Sequence, residues 1–447
     1  MIVNELGRFV AETGYEDIPA RVVDLAKTRI LDLLAAAMGG FRLGLYRPLL
    51  ECLDGKGEAT VWGEGVKLPV RDAALINSFM AHSTYLEDGS RYIGGHPSST
   101  VIPAVLALGE MRKSTGKEVI RSVIIGYDIV LRLGRAIYPS TTVRGFQTTA
   151  VLGAAGSATA SSILLGFDAT TAKNALAIAC NLGVGLKEAL KTPNSQPLQV
   201  GRSAEGGILA AYFAQKGVSG YDAIIENGFL KAFGDQPNDG RILSGLGREF
   251  LIEETYVKVH GGCRGNHAPI DVILSLVKKE KILPADIKEI RIKIDSVTMV
   301  AEIHSPMNGE QGQFSIPFAV AVALFEGNAS PFQYTDEKVN DPRIRSMMSR
   351  ILVAVDTSLD KDYPEKRGAR GEVILTDGRR FASSIDNAFG EPEQPFSAQD
   401  IQNKFIALAD DVLGKQGSLE VCNLVGVLDD LKDVGLLVAK TCRVREK

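Results

Sequence analysis

The hydrophobic pattern of this chain changes near residue 250, and this change constrains the fold more than any other feature. Before it, apolar residues recur at helical spacing, as Val22, Ala26 and Ile30 do in the helix predicted over 19–38. After it, isoleucines alternate with charged residues over 290–294, which is the pattern of a strand with one buried face. We therefore predict a mostly α protein with a second α+β domain.

The first half of the chain contains helical patterns and no long strand pattern. The segment 147–165 is rich in Ala, Gly and Ser, and we expect it inside a helical core because small side chains let helices approach closely. A further helix is predicted over 70–87. The pair Gly39-Gly40 is predicted to end the helix that starts at residue 19.

The second half carries the strand signals. The segments 372–376 and 380–385 flank Asp377-Gly378, a dipeptide typical of a tight β-hairpin. Between the strand at 290–294 and this hairpin, a helix is predicted over 341–352.

The length of 447 residues exceeds what one compact core usually contains. We predict a helical domain over 1–256, an α+β domain over 257–390, and C-terminal helices over 391–447. These last helices are expected to return to the first domain, which would then be all-helical and formed by both chain ends.

Composition and charge exclude several classes of function. The net charge of -4 argues against a nucleic-acid or membrane-surface partner, since either would favour a basic patch. No apolar run reaches the roughly 18 residues of a transmembrane helix, and the N-terminus lacks the pattern of a signal peptide. The five cysteines form no C-x-x-C pair, so no metal site is expected. We expect a cytoplasmic protein.

Four of the five histidines fall in two short glycine-rich segments, 81–100 and 258–271. Such loops let backbone amides and side chains converge on a ligand. Arginine binds carboxylates through paired hydrogen bonds, and His, Lys, Cys or Tyr can move a proton. The candidates are Glu87, Asp88, Arg91 and His96 in the first segment, and Lys258, Cys263, Arg264 and His267 in the second. They predict a site for a small carboxylate.

Several of these residues also have a structural interpretation. His82 is expected to be packed and hydrogen-bonded on its helix. Cys263 could be a small buried residue, Arg264 could pair with a surface acid, and His267 could cap the helix that follows it. His304 stands apart and is expected to be structural or to lie on a lid.

No short motif identifies a reaction. Arg202 follows Gly201 near a predicted helix start, where it could meet an anion. The chain has no P-loop, no dinucleotide fingerprint on a predicted strand and no zinc-protease motif.

Taken in order, these segments resemble the MmgE/PrpD family, which includes 2-methylcitrate dehydratase, cis-aconitate decarboxylase and iminodisuccinate epimerase. The resemblance runs nearly end to end. GGHPSSTVIPAVLALGE resembles the first active-site segment of the family, with His96 on the histidine of its H-P pair. KVHGGCRGNHAPID resembles the K-P-Y-P-C-C-R-x-x-H element, which places Lys258, Cys263, Arg264 and His267 on matching positions.

The resemblance implies a large helical domain, a smaller α+β lid, a cleft between them and a homodimer. It also implies chemistry without a metal or other cofactor, on a small polycarboxylate substrate. The shared step of the family is loss of a proton, or of CO2, from a carbon next to a carboxylate.

The chain departs from the family pattern at several positions. Residues that differ from those of the decarboxylase or many relatives are Tyr85 for Asp, Gln147 for His, Gln196 for Lys, Gln199 for His, Cys263 for His and Phe318 for Tyr. These departures disfavour the decarboxylase activity, while Asp88 is retained.

The resemblance and the residue types together assign expected roles. Proton transfer is expected from His96 and Cys263, helped by Lys258 or Tyr85. Substrate binding is expected from Asp88, Arg91, Gln147, Gln196, Arg202, Arg264 and His267. The expected reaction is dehydration of a 2-methylcitrate-like hydroxy acid. An epimerase of the iminodisuccinate type is the alternative, followed by a cis-aconitate decarboxylase or a non-catalytic metabolite binder.

Overall fold

The structure of the chain is a computed structural model that describes residues 1–192, 195–235 and 237–443. Positions 193, 194 and 236 of the predicted helical domain, and 444–447 at the end of the predicted C-terminal helices, lie outside the described residues. The described chain divides into two compact units. The first contains 1–189, 195–255 and 397–443, and the second contains 190–192 and 256–396.

The first unit is built from helices, with one short antiparallel pair of strands, β1 (Ala59–Thr60) and β2 (Lys67–Leu68). Its helices before residue 256 are α1 Ile2–Glu12, α2 Ala20–Leu43, α3 Arg47–Glu51, α4 Val70–Ser83, α5 Ser98–Arg112, α6 Gly116–Ile137, α7 Ser140–Val143, α8 Thr148–Leu164, α9 Ala169–Ala179, α10 Ser195–Gln215, α11 Leu230–Phe233 and α12 Gly240–Leu243.

Helix α8 is the centre of the first unit and is buried along its whole length. It packs against α5, α6 and α10. A Cβ at Gly153 would lie 2.4 Å from a methyl carbon of Thr100, and a Cβ at Gly156 would lie 2.3 Å from a methyl carbon of Val130. The small residues of this segment therefore allow close helix packing, as predicted.

The end of helix α2 differs from the prediction. The helix continues through Gly39-Gly40 and ends at Leu43, where Gly44 adopts the left-handed conformation with φ 71°. A Cβ at Gly40 would lie 1.9 Å from the carbonyl oxygen of Met80 on α4. The glycine pair therefore serves the contact of α2 with α4 and does not end the helix.

Helix α4 also ends earlier than predicted, at Ser83. Tyr85 has a φ of 47°, a left-handed conformation that does not continue an α-helix. The chain then runs irregularly to Pro97, and a backbone hydrogen bond from Ser90 to Gly95 closes this stretch. We call residues 84–97 the α4–α5 segment.

Within its described residues, the second unit contains a four-stranded sheet and six α-helices. These elements are α13 His267–Glu280, β3 Ile287–Ile294, α14 Ser296–Met299, α15 Gly309–Gly312, α16 Ile316–Glu326, α17 Asp336–Asn340, α18 Pro342–Met348, β4 Ile351–Val355, β5 Ala369–Leu375 and β6 Arg380–Ile385. The strand order is β4-β3-β5-β6, in which β3 is parallel to β4 and the other pairs are antiparallel.

The sheet confirms the two strand predictions. Ile290, Ile292 and Ile294 point into the core of the second unit, and β5 and β6 form the predicted hairpin around Asp377-Gly378. The predicted helix over 341–352 is wrong in its last part, because the buried Ile351 begins strand β4 and pairs with β3.

Two helices complete the first unit, α19 Ala398–Gly426 and α20 Gly435–Ala439. Helix α19 packs against α2 and contains a non-helical residue, Gly414, with a φ of 69°. None of the helices in the described ranges is both long enough and apolar enough to cross a membrane.

Candidate active site

A buried histidine–carboxylate pair lies at the end of helix α4. Nδ1 of His82 is 2.6 Å from Oε1 of Glu87, and both side chains are fully buried. An ionised carboxylate only accepts hydrogen bonds, so Nδ1 donates and the lone pair of the neutral imidazole lies on Nε2. The Nε2 amide group of Gln196, on α10, lies 3.3 Å from that Nε2 atom. An amide donor facing a ring acceptor is consistent with this tautomer.

His96 lies beside this pair. Its Nδ1 donates to the carbonyl oxygen of Asp88 over 2.6 Å, and its ring centroid lies 5.6 Å from that of His82. The carbonyl fixes the proton on Nδ1, so Nε2 is the basic nitrogen of neutral His96. The backbone N–H of His96 donates to Oγ1 of Thr149 over 3.0 Å, which ties the segment to the start of α8.

The carboxylate of Asp88 is engaged inside the protein. It accepts hydrogen bonds from the hydroxyl of Tyr127 at 2.9 Å and from the backbone N–H of Ser98 at 3.3 Å, and Arg29 lies 3.7 Å away. Burial raises the pKa of the Asp88 carboxyl to about 6, while the Arg29 guanidinium acts in the opposite direction. These contacts anchor the backbone that presents the Asp88 carbonyl to His96.

Tyr85 and Arg91 belong to the same α4–α5 segment and are both buried. The ring of Tyr85 lies 5.0 Å from that of His82, between centroids. Arg91 donates to the hydroxyl of Tyr92 at 3.4 Å, and its guanidinium carbon lies 5.2 Å from the centroid of the same ring.

Two predicted binding residues of the first unit make other contacts. The side-chain oxygen of Gln147 accepts a hydrogen bond from the backbone N–H of Ala150 at 2.6 Å and caps helix α8. Arg202 has an exposed side chain that pairs with Glu205. The prediction that Arg202 lies near a helix start is wrong, because α10 begins at Ser195.

In the second unit, Arg264 is held by a buried acid. Its guanidinium donates to Oε1 of Glu391 from Nη2 at 2.7 Å and from Nε at 3.1 Å, and the two side chains are 4% and 2% exposed. Nη1 lies 3.0 Å from Nδ1 of His267, and the guanidinium carbon lies 4.3 Å from the ring centroid of Tyr256. Arginine cannot accept, so Nδ1 of His267 does. The acid that pairs with Arg264 is thus buried rather than on the surface.

Lys258 and Cys263 lie on one loop of the second unit. The fully buried Lys258 donates from Nζ to the carbonyl oxygen of Gly262 at 3.3 Å. Cys263 is partly exposed, and its backbone N–H donates to the carbonyl oxygen of Gln313 at 2.7 Å. Gly262, with a φ of 86°, supplies the left-handed turn between them.

The structure also reveals groups that the sequence reasoning did not assign. Nε2 of His260 lies 3.2 Å from Oδ1 of Asp271, whose other oxygen accepts from the backbone N–H of Phe389 at 2.9 Å. The position of His260 in the glycine-rich segment 258–271 was the sequence signal that could have identified it. Glu87 was noted as a candidate, but its pairing with His82 depends on the chain turning back after α4.

The contacts of the first unit therefore join Tyr85, Asp88, His96 and Gln196 through His82 and Glu87. Lys258, Cys263, Arg264 and His267 lie in the second unit on the loop that leads into α13. No group of three or more His, Cys, Asp or Glu side chains within the described ranges could hold a metal ion.

Comparison with known proteins places this arrangement in a family. The MmgE/PrpD N-terminal domain matches residues 4–240, and the MmgE/PrpD C-terminal domain matches residues 260–429. The cis-aconitate decarboxylase of Aspergillus terreus is 27% identical over 99% of this chain and 96% of its own length. The human protein of that name is 26% identical, covering 93% and 89%. The mitochondrial 2-methylcitrate dehydratase of Yarrowia lipolytica is 21% identical, covering 84% and 77%. The names of these relatives describe lyases, and the chain belongs to the MmgE/PrpD family.

Proposed function

We propose that this chain is a lyase that removes a proton next to a carboxylate of a small polycarboxylate and dehydrates a 2-methylcitrate-like hydroxy acid. The observation that carries the proposal is the orientation of His96. With Nδ1 committed to the Asp88 carbonyl, Nε2 is the nitrogen that takes up a proton.

Dehydration requires two proton-transfer events. One group removes the proton from the carbon next to the carboxylate, and another protonates the hydroxyl, which leaves as water while the carbon–carbon double bond forms. We assign the first event to His96. His82 is a candidate for the second in its doubly protonated form, in which Nε2 carries the proton given to the hydroxyl and the Glu87 carboxylate compensates the positive charge of the ring.

The remaining residues receive roles from the chemistry of their side chains, except for Arg264, whose contacts decide its role. Arg91 is the proposed carboxylate-binding residue of the first unit. Lys258 and Cys263 are proposed as a substrate-binding cation and a proton-transfer group. Arg264 is reassigned to a structural role, because two of its nitrogens donate to the buried Glu391.

A second candidate is decarboxylation of cis-aconitate. It is favoured by the relatives of that name, which are 26% and 27% identical over at least 93% of this chain. In this reaction a carbon–carbon bond breaks, CO2 leaves and a proton is delivered to the carbon. Tyr85, Gln147 and Gln196, at positions where the family resemblance implies other residues in the decarboxylase, argue against this second candidate.

The test uses the purified full-length chain in D2O with citrate, 2-methylcitrate, cis-aconitate and iminodisuccinate, each followed by proton NMR and by CO2 release. Loss of water from a hydroxy acid, with new alkene signals, supports the proposal. Release of CO2 from cis-aconitate would assign the second candidate. Deuterium uptake with only a stereochemical change would indicate an epimerase, and no reaction in any sample would contradict the lyase assignment.

Two variants make the test specific to the site. His96→Gln is expected to abolish whichever reaction is found, because it removes the basic nitrogen. His304→Gln is the matched control, since the side chain of His304 is 59% exposed.

A further inference from the structure

The long C-terminal helix α19 supplies a lysine to the α4–α5 segment. Nζ of Lys404 donates to the carbonyl oxygen of Leu86 at 2.8 Å and to Oδ1 of Asp32, on α2, at 2.6 Å. All three residues belong to the first unit. Leu86 immediately precedes Glu87, the carboxylate that holds His82.

This contact is shielded from water. The side chain of Lys404 is 13% exposed and that of Asp32 is fully buried. Burial raises the pKa of the Asp32 carboxyl, and the charge of Lys404 acts in the opposite direction. An ammonium in such surroundings holds its acceptors in a defined geometry, because loss of either contact leaves a buried polar group without compensation.

The backbone around Leu86 needs this support. Because Tyr85 has left the helical conformation, the carbonyl oxygens of the residues after it accept no hydrogen bond from helix α4. Leu86 is 3% exposed, and a buried carbonyl oxygen requires a donor from the protein. Lys404 provides that donor from a helix far along the chain.

We propose that Lys404 is a positioning residue for proton transfer, which holds the Leu86 carbonyl and thereby sets the orientation of Glu87 against His82. Its role rests on the function proposed above for the His82 and His96 cluster. Asp32 holds the Lys404 ammonium in place, and the contact between them also balances the negative charge of Asp32.

The variants are chosen to separate positioning from folding. Lys404→Met removes the ammonium but leaves the Asp32 carboxylate buried without its partner, which could prevent folding. The double variant Asp32→Asn with Lys404→Met removes both charges and keeps the packing volume. Lys404→Arg is the conservative variant, and Lys415→Met, an exposed lysine on the same helix, is the matched control.

The first measurement needs no substrate. The chain has five histidines, so nitrogen NMR of the histidine-labelled, full-length protein can be assigned by single His→Gln variants. In the unmodified chain we expect His82 to carry its proton on Nδ1. In the double variant we expect His82 to show a mixture of tautomers, while His260 and His304 keep their spectra. An unchanged His82 spectrum in the folded double variant would overturn the proposal.

The second measurement uses any substrate that the unmodified chain converts. We expect kcat of the double variant to fall about tenfold or more, with KM changed less than about threefold, because misplaced catalytic groups slow the reaction rather than weaken binding. The single variant Lys404→Arg keeps a cation at this position, so its kcat should lie between that of the double variant and that of the unmodified chain. Equal kcat values for the double variant and Lys415→Met would refute the role. Absence of any reaction in the unmodified chain would instead contradict the proposed function, and the histidine spectra would still decide whether Lys404 positions His82.

Discussion

Nδ1 of His96 donates a hydrogen bond to the carbonyl oxygen of Asp88 over 2.6 Å, within the same α4–α5 segment. A carbonyl oxygen only accepts, so Nδ1 keeps its proton whether the ring is neutral or charged. Proton exchange is therefore confined to Nε2. The backbone, rather than a titrating side chain, sets which nitrogen of His96 acts as the base.

Replacement of His96 by Gln is expected to lower kcat by about 10²- to 10⁴-fold, the usual contribution of a general base. Thermal stability should change little, because the hydrogen bond to Thr149 that anchors this position uses the backbone of residue 96. The measurement is steady-state kinetics beside a melting curve. A variant that keeps full activity on the true substrate would contradict the role of His96.

Replacement of Glu87 by Gln is expected to lower kcat by about 10²-fold or more, since an amide can donate to Nδ1 of His82 and reverse its tautomer. The side chains of both residues are fully buried, so water cannot substitute for the lost carboxylate. Kinetics of this variant should be compared with Glu337→Gln, at an exposed glutamate of the second unit. If both variants retain the same kcat, the His82–Glu87 pair has no part in proton transfer.

Replacement of Arg264 by Ala is expected to lower the free energy of unfolding by about 3–5 kcal/mol, because the buried Glu391 loses the charge and both hydrogen bonds of the Arg264 guanidinium. The double variant Arg264→Met with Glu391→Gln should recover most of that loss. Arg379→Ala is the control, since Arg379 and its partner Asp377 have side chains 65% and 52% exposed and an exposed pair contributes less than about 1 kcal/mol. Urea unfolding measures all three. If Arg264→Ala loses little stability and has a raised KM, Arg264 binds substrate and its structural role is wrong.

The buried Asp88 should make stability depend on pH. Burial raises the pKa of its carboxyl to about 6, above the ordinary value of about 3.9, so the folded state retains a proton that the unfolded state has released between these values. The stability that Asp88 contributes is therefore fully present below about pH 4 and is lost as pH rises through about 6.

Asp88→Asn removes this titration. The free energy of unfolding of this variant minus that of the unmodified chain should increase by about 1 kcal/mol from pH 5 to pH 7. The attraction of Arg29 acts only on the ionised carboxylate, and its effect is already contained in the pKa of about 6. Glu302, whose pKa burial raises to about 7, is present in both proteins and cancels. Urea unfolding at pH 5, 6 and 7 measures the difference, and a flat or falling difference would show that Asp88 is ionised throughout.

Local patterns in the sequence predicted local structure well. The alternation over 290–294 and the Asp377-Gly378 turn predicted strands and a hairpin that the structure confirms. The small residues of 147–165 predicted the buried helix α8. Such predictions succeed because the side of a helix or strand that faces the core recurs every few residues along the sequence. The order of the motifs likewise indicated the family, which the domain matches confirm.

Helix ends were predicted less well, because other parts of the fold decide how a glycine is used. Gly39-Gly40 reads as a stop signal, yet the chain uses Gly40 to bring α2 against Met80. Ile351 reads as the end of a helix, yet its pairing with β3 makes it the start of a strand.

The sequence by itself indicated which helices and strands form and which glycine-rich segments contain the candidate catalytic residues. Tertiary structure alone decided how the functional groups are oriented: Lys404 reaches Leu86 across 318 positions, Gln196 reaches His82 across 114, and Glu391 reaches Arg264 across 127. No local period encodes such pairs. They exist because many elements pack at once, and each buried charge or polar group must then meet a partner that may lie anywhere in the chain.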